Sequence, residues 1–88
     1  MDTMNRPELI LIVDDDAVSR AMLKRIFASE YAVVEAKDGV EALRLLREQP
    51  GIIGVILDLC MPLMDGFGVM AGMQGNPALS CLPVIVVT

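Results

Sequence analysis

Four short apolar runs alternate with three stretches of helical period along this chain. Residues 9–13 (LILIV), 31–36 (YAVVEA), 52–57 (IIGVIL) and 83–88 (PVIVVT) read as strands. The third run has no polar side chain to mark a solvent face. Short and rich in β-branched residues, it fits a strand buried on both faces inside a parallel sheet. The second carries Glu35 and suits an edge.

The intervening stretches predict helices. From about residue 17 to 29, Val18, Met22 and Ile26 fall at i, i+4 and i+8. Leu23 and Phe27 widen that stripe, Arg20, Lys24 and Arg25 lie off it, and Asp16 is placed to cap the helix. After the turn Lys37, Asp38, Gly39, a second helix covers about residues 40–47, with Val40, Leu43 and Leu46 as the expected buried line. Glu41, Arg44 and Glu48 face outward, and Pro50 with Gly51 stops it. A third, about residues 67–74, sets Phe67, Met70 and Met73 on one side. Gly68 and Gly72 cost it roughly 1 kcal/mol each relative to Ala, so it should be the weakest. Residues 77–82 read as loop.

The order βαβαβαβ predicts right-handed crossovers and a parallel sheet with helices on both faces. An 88-residue chain holds one such domain, with residues 1–7 as a loose lead-in. Aromatics make up only 3% against 55% hydrophobic residues, so the core must be built from Val, Ile, Leu, Met and Ala. The net charge of -5 argues against nucleic-acid contact by this segment, where a basic patch would be needed. No apolar run approaches the roughly 18 residues of a membrane span, and the N-terminus is no signal peptide. Cys60 and Cys81 have neither metal nor disulfide spacing, and there is no His. A cytoplasmic, reduced setting is the expectation.

Chemistry gathers at the strand ends. The first strand runs into Asp14 and Asp15, the third into Asp58, and the fourth into Thr88. In a parallel sheet these ends open on one edge, where α/β sheets place their ligands. Clustered carboxylates repel unless a cation joins them, and an all-oxygen set suits Mg²⁺ or another divalent ion such as Mn²⁺. A carboxylate beside such an ion can attack phosphorus to form an acyl phosphate, and a nearby threonine hydroxyl can donate to phosphoryl oxygens. Simple capping or a solvated loop is the alternative reading of the same acids.

Four segments carry a resemblance: ILIVDDD at 10–16, DGVEAL at 38–43, DLCMPLMDG at 58–66 and PVIVVT at 83–88. Together they resemble the receiver domain of two-component response regulators over nearly the whole chain. The resemblance implies a flavodoxin-like doubly wound sheet of order 2-1-3-4, with residues 8–88 as the receiver domain. It implies that Asp58 takes a phosphoryl group from a histidine kinase, a phosphotransfer protein or a small phosphodonor. Asp15, Asp58 and the backbone carbonyl of Cys60 would bind Mg²⁺, with Asp14 acting mainly through water. Thr88 would be the switch hydroxyl. Such a domain is a signalling module and no enzyme, its chemistry limited to its own phosphorylation and dephosphorylation. Cys60 holds the position that tunes phosphoryl lifetime in that family, although its sulfur also fits a small buried filler. Met61, Pro62 and Gly66 look like loop-shaping residues.

The departure is C-terminal. A full receiver adds a fourth helix, a fifth strand with a phosphoryl-pairing lysine, and a fifth helix. Lys24 and Lys37 match no such lysine. The fifth strand and last helices are absent, which leaves residues 83–87 as an uncovered apolar edge. Such an edge invites pairing with another chain, so a fragment, a truncated form, and a homodimer or strand swap through the fourth strand all fit. The expectation is Mg²⁺ binding with poor phosphorylation. Two other readings stand beside this one. Asp14, Asp16 and Val18 also satisfy the D-x-D-x-V motif of haloacid-dehalogenase-type phosphatases. Asp14 would then be the nucleophile, Asp16 the general acid and Thr88 part of a second motif, but DLCMPLMDG would go unexplained. The other is a pseudo-receiver, an interaction module that makes no use of phosphorylation.

Overall fold

A computed structural model of the chain describes residues 8–58 and 65–87, the side chains of residues 65–67 excepted. In order they form β1 (Glu8–Val13), α1 (Ala17–Phe27), β2 (Tyr31–Ala36), α2 (Gly39–Glu48), β3 (Ile52–Asp58), α3 (Asp65–Gln74) and β4 (Val84–Val87). The sheet order is β2-β1-β3-β4, parallel throughout, as the alternating pattern predicts.

Strand alternation divides the sheet's side chains between two layers. Leu11 and Val13 of β1, with Val55 and Leu57 of β3, meet Ala42, Leu45 and Leu46 of α2 and Val69 and Met73 of α3. Ile10, Ile12 and Ile56 point the other way, toward Leu23 and Phe27 of α1. The larger core therefore lies under α2 and α3.

Local chemistry starts both N-terminal helices. Asp16 caps α1, accepting from the Val18 N–H at 3.2 Å and the Ser19 hydroxyl at 2.9 Å. Asp38 caps α2 by accepting from the Glu41 N–H at 2.8 Å, and Glu41 reaches back to the Lys37 N–H at 2.9 Å. That reciprocal pair is a close variant of the capping box.

The helix faces are where the sequence pattern and the packing part. Val18, Met22 and Ile26, the expected buried stripe of α1, are 68%, 61% and 64% exposed. The helix rests on the Leu23 and Phe27 part of the expected stripe, above β1 and β2. In α2, Val40 is 82% exposed and the buried line runs through Ala42, Leu45 and Leu46. Val69 joins Met73 as a buried residue of α3, with Met70 half-buried; the side chain of Phe67 lies outside the description. Gly72 has a packing reason: a Cβ there would come within 2.7 Å of Leu43 Cδ1 on α2. Among the described residues, β4 borders the sheet, with Ile85 and Val86 exposed.

Candidate functional site

Register builds the site. Val13 of β1 is paired with Leu57 of β3, so the next residues, Asp14 and Asp58, reach the C-terminal edge of the sheet on adjacent strands. Asp15 follows on the turn into α1. Asp14 is 2% exposed, Asp58 half-buried and Asp15 exposed. One carboxylate oxygen from each of the three lies within 4.8 Å of the others. Strand pairing alone has brought together acids more than forty positions apart.

Asp14 is held from several directions. Its N–H donates to the Ala36 carbonyl at 3.1 Å, continuing the β1–β2 ladder by one residue. Its carboxylate accepts from the Asp16 N–H at 2.9 Å. Its carbonyl accepts from Arg20 Nη1 at 2.9 Å, while Arg20 Nε donates to Glu35 Oε1 at 3.2 Å. Lys24 Nζ lies 3.4 Å from the other Glu35 oxygen. Sequence reading placed Arg20 and Lys24 merely off the apolar stripe. Their shared partner on β2 is set by how α1 lies on the sheet, and no local pattern announces it.

Burial pushes the Asp14 carboxyl above its ordinary pKa, against the pull of the Asp16 N–H. The negative charge of Asp58, a hydrogen bond between the two carboxyls and the charge of Asp15 raise it further. Asp16 shifts the other way, lowered by the Ser19 hydroxyl and the Val18 N–H. That is the electrostatics of a helix cap, the role expected for it. The chemistry of the donor set fits a divalent cation: three clustered carboxylates, one of them buried beside like charge.

Asp14 and Asp58 open onto a groove shared with Ser19, Met22, Ile26 and Val87. Val87, the last residue of β4, is paired with Asp58. Thr88 and Cys60 lie outside the described residues, as do Met61 and Pro62; Gly66 starts α3 beside Asp65.

Comparison with known proteins points one way. The family model of the response regulator receiver domain matches residues 10–88. A probable transcriptional regulator, ycf27, of Porphyridium aerugineum is 41% identical over 92% of this chain and 32% of its own length. The response regulator Rcp1 of a Synechocystis strain is 30% identical over 99% of this chain and 65% of its own. Among solved structures, a response regulator receiver protein from Pseudomonas putida superimposes with a TM-score of 0.83 at 34% identity, covering 93% of this chain and 67% of that one. The chain thus spans about a third of the ycf27 regulator it matches. Among the described residues, no helix is long and apolar enough to cross a membrane.

Proposed function

This chain belongs to the response regulator receiver domain family, the phosphoacceptor module of two-component signalling, and on that premise we propose that Asp58 is its phosphoacceptor. The observation that carries the reading is the convergence of Asp14, Asp15 and Asp58 at the ends of two paired strands. Asp14, Asp15 and Asp58, with the backbone carbonyl of Cys60, are the groups that would hold Mg²⁺. When bound, that ion supplies charge neutralisation for the acids and for the incoming phosphoryl oxygens.

Each residue has a distinct part. Asp58 is half-buried at the mouth of the groove, where its carboxylate oxygen serves as nucleophile toward phosphorus. Asp14 contributes from a buried position, oriented by the Asp16 N–H and by its backbone ties. Asp15, exposed, completes the carboxylate set. Thr88 follows Val87, the β4 partner of Asp58, and that adjacency supports its role as the switch hydroxyl. The phosphoryl donor is a histidine kinase or a phosphotransfer protein, and the domain works in the cytoplasm. It turns over no external substrate. Residues 8–88 belong to a receiver domain, and β4, at the border of the described sheet, is the strand through which a second copy would pair.

The family match also bears on the phosphatase reading. It accounts for the whole 58–66 segment, which the haloacid-dehalogenase motif left unexplained. Intact mass before and after acetyl phosphate with Mg²⁺, on wild type and Asp58→Asn, tests the proposal. A slow adduct of one phosphoryl mass that disappears in Asp58→Asn is expected. An adduct that survives Asp58→Asn but is lost in Asp14→Asn would overturn it in favour of the phosphatase. Mg²⁺ binding with no adduct, in a chain lengthened at its C-terminus, would favour the pseudo-receiver.

A further inference from the structure

We propose that Arg20 is a positioning residue for the acidic site, acting through the backbone of Asp14 and anchored by Glu35. The Asp14 carbonyl belongs to the peptide unit that joins Asp14 to Asp15. That unit is planar, so fixing its oxygen fixes the orientation of the chain between two of the three clustered acids. Arg20 Nη1 donates to this oxygen at 2.9 Å. The same guanidinium donates through Nε to Glu35 Oε1 at 3.2 Å, on the neighbouring strand β2. Its side chain is only 20% exposed, and Glu35 is 35% exposed with Lys24 on its second oxygen. One rigid planar fork therefore ties α1, the end of β1 and β2 together, directly behind the carboxylates. A lysine has no such fork and cannot reproduce both directions at once.

The inference rests on the metal-site reading, and its sign separates it from the alternatives. A cation close to the acids repels an incoming divalent ion through space, so removing the charge of Arg20 should by itself tighten Mg²⁺. Losing a group that orients ligands loosens it, commonly by tenfold or more. The two effects run in opposite directions. A purely structural role would move stability and leave the affinity of the folded protein unchanged.

The experiment is isothermal titration of Mg²⁺ into wild type, Arg20→Ala, Arg20→Lys and Glu35→Gln, with thermal unfolding in chelator alongside. We expect about tenfold weaker binding in both Arg20 variants, since the lysine restores the charge but not the fork. Glu35→Gln should show a smaller loss in the same direction. Equal or tighter binding by Arg20→Ala would overturn the proposal, and so would wild-type affinity in Arg20→Lys. If Arg20→Ala does not fold, Glu35→Gln carries the test, and wild-type affinity there would overturn it. Absence of Mg²⁺ binding by wild type would instead bring down the metal-site reading and this inference with it.

Discussion

Asp14 and Asp58 leave neighbouring strands side by side with carboxylate oxygens within 4.8 Å of each other, and Asp14 is almost wholly buried. Without a cation this is a destabilising contact, because burial and like charge both oppose ionisation of Asp14. Replacing Asp14 by Asn should therefore stabilise the metal-free protein while weakening Mg²⁺ binding. Urea unfolding in chelator and titration calorimetry measure the two effects. A metal-free Asp14→Asn less stable than wild type at neutral pH would contradict this account.

The same contact sets a pH dependence. The folded-state pKa of Asp14 lies above its unfolded value, so the folded chain holds that proton more tightly. Its contribution to stability is present below the unfolded value and is lost as pH rises through the folded one. In chelator, the stability gap between Asp14→Asn and wild type should widen as pH rises above about 4 and level off once Asp14 is ionised in the folded state. Saturating Mg²⁺ should offset the loss by mass action.

Capping makes a separate prediction. Asp38→Ala removes the acceptor for the Glu41 N–H at the start of α2 and should cost about 1 kcal/mol, read from the urea midpoint. Mg²⁺ affinity should not change, because α2 contributes none of the clustered acids.

The two interior glycines of α3 should behave differently. A Cβ at Gly68 meets nothing within 4 Å, so Gly68→Ala should stabilise by up to about 1 kcal/mol through helix propensity. At Gly72 the added methyl presses on Leu43 Cδ1 and Cδ2, and the gain should be reduced or reversed. Equal gains at both sites would show that α2 and α3 pack less closely than described.

On α1, the apolar residues should divide by packing and not by hydrophobicity. Leu23→Ala should cost roughly 2 kcal/mol, since Leu23 packs on Ile10, Ile12 and Ile56. Met22→Gln, at a position 61% exposed, should stay within about 0.5 kcal/mol in this 88-residue chain. Thermal unfolding checks both, and a large loss in Met22→Gln would show that the Val18, Met22 and Ile26 line is buried after all.

The sequence by itself determined the number, kind and order of the elements, because short β-branched runs and 3.6-residue periods are local properties of the chain. It also determined where the acids gather: acids at the ends of apolar strands converge whenever those strands are parallel neighbours, and Asp14, Asp15 and Asp58 do so. Asp16 as a cap was legible for the same local reason. What only the tertiary structure decided is which side of each helix meets the sheet and which residues stand behind the acids. Val18, Met22 and Ile26 satisfy a helical period as well as any buried stripe, yet α1 lies on Leu23 and Phe27. Arg20 and Glu35 meet across fifteen positions because α1 crosses above β2. A helix's period fixes the angle between its own side chains, whereas its rotation on a sheet is set by the residues that pack against it.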